Sequence, residues 1–351
     1  MIQDALTCLL AVHILGGFFT RNRGFSIGLK GDPMCVRRKA ILAGAAICVA
    51  VTTGACSRVA NLQARKSFKE ANGLYQSQNY KEAAARYQEV INTDPNVASD
   101  PNLSSAYFFL GNSYDQMYKP ARKGEAENDA YLKKAIEEYK IASEKSQDPK
   151  IRSLSLKFLV YAYGPDKLND PAQSEPIVQQ MIKLDPNDTA NYFMLAKIYE
   201  DNGNLDQAEA MYNKAKDARP KDATVYQQLA GYYQRQGEFD KLIAAVQQRA
   251  ELEPNNPEAH YSIASYYWDE AYRNTRLSEA QKREYVQKGM EEVEKALQIK
   301  PDYVEAIVYK GLLLRLQAAM EKDAKKQQDL LKEATDLQKK AADLKQKQGG
   351  K

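Results

Sequence analysis

Small and aromatic positions recur along this chain at a fixed period. Pro186, Pro220 and Pro254 are evenly spaced, and Ala196, Ala230 and Ala264 repeat with the same interval. The segments around these alanines superimpose as LAKIY (195–199), LAGYY (229–233) and IASYY (263–267), with LGNSY (110–114) in the same set. A small residue three before a tyrosine puts both on one face of a helix. A second half follows each time: Ala208, Tyr212 and Ala215 recur as Ala135, Tyr139 and Ala142, and as Ala83, Tyr87 and Val90. Gly203 and Gly237 mark the turn between halves. A proline closes the second helix, because it lacks an amide donor and disfavours helix in the residue before it. The unit is helix, turn, helix, and about seven copies span residues 62–345.

The pattern resembles the tetratricopeptide repeat (TPR) family, in which an aromatic, then Leu-Gly, Tyr, Ala, aromatic, Ala and Pro are spread over about 34 residues. Tyr192, Leu195, Ala196, Tyr199, Ala208, Tyr212, Ala215 and Pro220 occupy those eight positions in the best copy. The resemblance implies an all-α fold, a right-handed superhelical solenoid of about seven helix-turn-helix repeats. Ala196 with Ala208, and Gly111 with Ala135, are the small pairs that let two helices approach closely. One hairpin cannot bury its apolar face alone, so stacking is obligatory.

Some copies depart from the pattern. The third (about 150–186) lacks Leu-Gly and carries Pro165, Pro171 and Pro176, which suggests a bent or irregular hairpin. The stretches from Gly111 to Ala135 and from Ala264 to Gly289 are each about twice as long as the equivalent stretch from Ala196 to Ala208. Insertions near 117–130 and 270–284, together with a lengthened last hairpin, read as extra helical turns rather than loose loops. Leu330, Ala334, Leu337, Ala341 and Leu344 form a narrow apolar seam, either a capping helix or a dimerisation helix. Residues 346–351 are expected to be a disordered tail.

Upstream, residues 34–55 have the order of a secretory signal: Arg37, Arg38 and Lys39, then an apolar run from Ala40 to Val51, then small residues. That run makes roughly 18 Å of helix, against the ~30 Å of a hydrocarbon core. Thr53-Gly54-Ala55-Cys56 resembles the lipobox of bacterial lipoproteins, with Thr53 where that family usually has Leu. The resemblance implies lipidation of Cys56, a linker over 56–61, and anchoring by several acyl chains. Ser57 after the cysteine favours, by the same resemblance, the outer membrane of a bacterial envelope, facing the periplasm. Residues 1–33 read as an upstream segment from a misassigned start, or alternatively as part of a membrane-inserted hairpin.

Composition narrows the chemistry. The formal charge is +4, but residues 1–56 hold 6 of the 50 Lys+Arg and 2 of the 46 Asp+Glu, so the body is neutral and gives no case for nucleic-acid binding. All four cysteines lie at or before Cys56, which excludes cysteine nucleophiles and cysteine metal sites from the body. His260 is the only imidazole there and fills a bulky repeat position. No cofactor or metal is implied.

In TPR proteins the first helices line a groove that receives a peptide or a partner's helix. Carried over by position, the partner-binding candidates are Phe68, Asn72 and Tyr75 in copy one, and Phe108, Asn112 and Asp115 in copy two. Copy four gives Phe193, Lys197 and Glu200; copy five Gln227, Gln234 and Arg235; copy six Tyr261, Ser265 and Trp268. Aromatics offer large contact at little rotamer cost, and amides both donate and accept toward a peptide backbone. Phe68, Phe108 and Trp268 read equally well as packing residues. Phe68 stands where carboxylate-gripping TPR proteins have Lys, so a carboxylate clamp is not expected. The leading reading is a membrane-tethered scaffold for a protein or peptide partner in an envelope assembly or export complex. A regulator of an envelope enzyme is the alternative, and an enzyme in its own right is the less favoured class. Oligomeric state is not legible in the sequence.

Overall fold

The computed structural model describes residues 57–94 and 96–349. Two units are distinguished, one ending at Gln63 and one running from Ala64; 57–63, the described part of the first, are helical, where an anchor linker was expected through 61. Among the described residues the regular structure is entirely helical: α1 (57–76), α2 (Tyr80–Thr93), α3 (Ala106–Met117), α4 (Ala126–Lys145), α5 (Pro149–Tyr163), α6 (Pro171–Leu184) and α7 (Thr189–Asp201). There follow α8 (Leu205–Ala218), α9 (Ala223–Gln236), α10 (Phe239–Leu252), α11 (Pro257–Arg273), α12 (Glu279–Ile299), α13 (Val304–Ala319) and α14 (Ala324–Gly349). From Ala64 onward each helix packs mainly on its chain neighbours, as in a helical repeat solenoid of paired helices. None of these helices is long and apolar enough to cross a membrane.

The repeat boundaries follow from local chemistry. After Pro186, Pro220 and Pro254 an Asp or Asn caps the next helix, whereas after Pro301 the cap position is Tyr303 with no side-chain bond. Asp188 accepts from Ala190 N at 3.1 Å, Asp222 from Thr224 N at 3.0 Å and Asn256 from Glu258 N at 3.0 Å. Such a cap contributes about 1 kcal/mol by satisfying an orphan amide. The leading tyrosine closes the same corner: Tyr192 Oη donates to Pro186 O and Tyr226 Oη to Pro220 O, one repeat apart. Gly203 and Gly237 turn the chain at positive φ, and Gln78 and Asn169 take that conformation in the first and third hairpins.

The small residues do what their spacing predicts. Ala83, Ala135, Ala196, Ala208 and Ala264 are fully buried. A Cβ on Gly111 would stand 3.0 Å from Tyr139 Cδ1 and 3.1 Å from the Ala135 carbonyl, so the α3–α4 approach requires glycine-like slimness. Tyrosines and leucines fill the space between hairpins; Tyr87, Tyr139 and Tyr232 are among the largest fully buried side chains.

Three expectations change. The second copy does not lengthen both helices: α3 keeps 12 residues, and a connection with a 3₁₀ turn at Pro120–Arg122 precedes a 20-residue α4. Pro120 bars helix at Lys119, and buried Asn128 takes both backbone groups of Lys119, accepting at 2.8 Å and donating at 3.1 Å. The third copy is a hairpin of two continuous helices, with Pro171 in the first turn of α6 and Pro176 inside it; its irregularity is confined to the 164–170 connection. The last helix continues to Gly349, so 346–349 are helical rather than a loose tail. The sixth and seventh hairpins are lengthened as expected, to helices of 17 and 21 and of 16 and 26 residues. The apolar seam of α14 packs on α13, with Ala334 and Ala341 buried.

Candidate binding cleft

The amides of the first two hairpins are already engaged. Tyr75 Oη donates to Asn112 Oδ1, Asn112 Nδ2 donates to Tyr139 Oη at 3.2 Å, and Tyr139 Oη reaches Asp115 Oδ2 at 3.5 Å. Asp115 is ion-paired with Lys167 from the 164–170 connection, and its side chain is 7% exposed. Asn72 accepts from Tyr87 Oη at 2.6 Å. A polar relay therefore runs from hairpin one through hairpin two into hairpin three. Burial, with Asp115 second, pushes the Tyr139 phenol well above its usual range, so it remains a donor at neutral pH.

This corrects two of the candidates. Asn112 is 3% exposed and Phe108 is 4% exposed, the latter packed edge-on to Phe158 at 5.3 Å. Neither is open to a partner: Asn112 is taken by Tyr75 of the preceding hairpin and Tyr139 of its own, and Phe108 is covered by Phe158 of the next. Phe68 is partly buried against Tyr87 at 5.8 Å, Tyr75 is a half-buried member of the relay, and Asn72, also half-buried, has its oxygen taken by Tyr87.

In hairpins four and five the charged candidates also strap repeats together. Arg235 donates to Glu200 through Nη2 at 2.8 Å and Nε at 3.1 Å, and Tyr212 Oη donates to the same carboxylate at 3.1 Å. Glu200 is 6% exposed at its side chain, so the guanidinium satisfies an acid that would otherwise be buried alone. Burial and then Glu200 push Tyr212 up to about 12. Arg235 is thus a strap rather than a free partner-binding group. Gln227 and Gln234 are exposed on α9.

In hairpin six Trp268 stacks on Tyr272 at 5.0 Å and meets Tyr309 edge-on at 5.5 Å. Tyr261, also half-buried, packs edge-on against Tyr303 and Tyr309 and borders a cavity of about 460 Å³ between α11, α13 and α14. Ser265 spends its hydroxyl on Ser262 O. His260 sits with Nδ1 2.7 Å from Glu292 Oε2, largely buried between α11 and α12. Cys56 and residues 1–55, with the lipidation and signal expectations, lie outside the described residues.

The structure brings Phe193 and Lys197 to one place. They line a cleft of about 760 Å³ formed by the end of α5, the 164–170 connection, the start of α6 and one face of α7, with Gln228 reaching in from α9. That volume suits a ligand better than a packing defect. Its apolar wall includes Val160, Tyr161, Met194 and Ile198. Tyr161 is 55% exposed, unusual for a ring of its size. Tyr161, Met194, Ile198, Asn169 and Gln228 were not picked out from sequence. The register was nonetheless available: LVYAY at 159–163 has the offsets of LAKIY at 195–199, which gives Tyr161 the repeat position of Lys197. The prolines after it obscured the copy.

Comparison with known proteins bears on this region directly. The tetratricopeptide repeat model matches residues 167–231, from the cleft-forming connection through most of α9. Residues 167–231 thus read as tetratricopeptide repeat sequence. The C-terminal part of a TPR repeat-containing protein from Cytophaga hutchinsonii has a similar structure, with 17% identity, covering 79% of this chain and 98% of that one at a TM-score of 0.52. A MamA crystal structure shares 22% identity over 52% of this chain and 93% of its own, with a TM-score of 0.38. YrrB, described as a TPR protein with an unusual peptide-binding site, shares 19% identity over 69% of this chain and 88% of its own, with a TM-score of 0.32. No curated protein sequence matches the chain. The packed tyrosines of the second helices lie against aromatics of the next hairpin's first helix: Tyr87 stacks on Phe109 at 5.8 Å, Tyr139 lies 5.4 Å from Phe158 and Tyr212 lies 5.0 Å from Tyr232.

Proposed function

We propose that this TPR protein is a membrane-tethered scaffold, held by an acylated Cys56 at the bacterial outer membrane on its periplasmic side, that binds a segment of a protein partner in the cleft between α5 and α7. The observation that carries the binding half is the cleft itself, about 760 Å³ with exposed Tyr161 at its wall beside Phe193 and Met194. Apolar side chains and amides hold a ligand by contact and hydrogen bonding, so the reading is of a binding protein rather than an enzyme. The lipobox-like residues before Cys56 support the tether, and TPR scaffolds in envelope assembly or export complexes are the matching context.

The halves are tested separately. A clickable fatty-acid analogue should label the wild type and not Cys56→Ala; label retained in the mutant rejects lipidation at that residue. A photo-crosslinking residue at position 161 should capture a defined partner in cells, while one at exposed Leu184 should not. Equal capture from both positions removes the cleft from the reading.

A further inference from the structure

The charges around the cleft are not equally available. Lys167 is committed to Asp115, which lies outside the lining. Lys197 and Asp201, both in the lining, pair with each other at 2.6 Å. Lys157, nearby on α5, lies 3.8 Å from Asp188. Asp166 remains: it lines the cleft, is exposed in the 164–170 connection, and carries no ion pair or side-chain hydrogen bond among the described residues. The side-chain amides of Asn169 and Gln228 are likewise without a partner there. The cleft therefore offers an apolar wall, two free amides and one uncompensated negative charge.

From this, and resting on the reading of the cleft as a peptide site, we propose that its occupant is a peptide segment of a protein partner with an apolar anchor and a single basic side chain beside it. The anchor lies against Tyr161 and Phe193, the backbone meets the Asn169 and Gln228 amides, and the Lys or Arg faces Asp166. A partner carboxylate is disfavoured there, since the two lining ammonium groups are already neutralised within the chain. The charge selects and the apolar wall holds: an exposed ion pair changes affinity by about two- to five-fold and weakens with salt, whereas losing the aromatic anchor removes far more.

The test uses terminally blocked nonapeptides displayed as a library, with five positions randomised over Leu, Phe, Tyr, Gly and Gln and one adjacent position fixed as Lys, Gln or Glu. The immobilised protein is the wild type, Asp166→Asn, or the double variant Tyr161→Ala/Phe193→Ala, each checked for helical content and melting point. Tyr161→Ala alone is carried as a second cleft variant, because its exposed ring makes loss of folding a poor explanation for lost binding. The expected result is enrichment in the order Lys, Gln, Glu on the wild type, falling to parity on Asp166→Asn, with all enrichment lost on the double variant. Cleft-dependent enrichment without a Lys preference, or with one that survives Asp166→Asn, overturns the charge assignment while leaving the peptide site standing. If no peptide is enriched in a Tyr161- or Phe193-dependent way, the peptide site falls, and this inference with it.

Discussion

Glu138 is a carboxyl in the wrong surroundings, and replacing it should stabilise the protein in a pH-dependent way. It lies on α4, partly buried, with its acidity shifted from the usual 4.5 up to about 7, by burial first and by the neighbouring Glu137 second. Its charge in turn adds to the burial that raises Tyr107 and Tyr114 on α3. Between pH 4.5 and 7 the folded state holds a proton that the unfolded chain has released, so stability falls as pH rises through that window and is flat above it. A displacement from 4.5 to about 7 corresponds to roughly 3 kcal/mol at about 1.36 kcal/mol per pH unit. Because the carboxyl still reaches solvent, about 1–2 kcal/mol is the better expectation. Glu138→Gln keeps the shape and removes the charge. Near pH 4.5 it should match the wild type in urea unfolding and in hydrogen exchange of the α3–α4 amides. By pH 8 it should be more stable by about 1–2 kcal/mol, the gain accumulating between pH 4.5 and 7. A pH-independent difference, or a destabilised variant at pH 8, would show that burial does not penalise this carboxylate.

Three further outcomes are expected. Arg235→Met strands the buried Glu200 carboxylate with only Tyr212 and a distant Lys197, and should cost about 1–3 kcal/mol in urea unfolding; Glu200→Gln added to it should recover most of the loss. Gly289→Val puts atoms where a Cβ already meets Leu313 Cδ2 at 3.0 Å and Tyr267 Cβ at 3.3 Å, so hairpins six and seven should lose about 1–3 kcal/mol by overpacking. Hydrogen exchange localised to α11–α13 is the check, and unchanged protection there would refute it. Asp222→Ala removes the cap on Thr224 N and should lower stability by about 1 kcal/mol, read as earlier fraying of α9 and not of α11.

How much was legible depended on how far apart the deciding partners lie. Hairpins were readable because each is set by short, fixed offsets within one copy, and the buried alanines at those offsets confirm it. The length of the second copy was readable only in part. Its extra residues carry helix-forming Lys and Glu, but Pro120 stops the helix and Asn128 fixes the connection, a pairing that no periodicity announces. The binding candidates were the least legible. Asn112 looks like a free amide on its own helix, yet its partners are Tyr75 from the preceding copy and Tyr139 from the second helix of its own copy, the one well before it in the chain and the other well after.

The same separations turn into a rule once the period is laid on the structure. Tyr199 donates to Glu175 at 2.7 Å and Tyr233 to Glu209 at 2.9 Å, both across the same sequence interval. One hairpin's second helix thereby meets the next hairpin's first helix at a repeated polar rung. Lys241 pulls Glu209 below the usual carboxylate range, by hydrogen bond first, so the rung is charged as well as bonded. The next rung should join residues 243 and 267, but Ile243 replaces the acid, and Tyr267 instead packs on Phe239 and Tyr285. An interface bonded by tyrosine and glutamate resists sliding because its donors and acceptors are fixed in register, whereas an apolar one tolerates adjustment. Of these rungs, the Glu175–Tyr199 pair ties α6 to α7, two of the helices that line the cleft, so the register of those two walls is fixed by a hydrogen bond rather than by apolar contact alone.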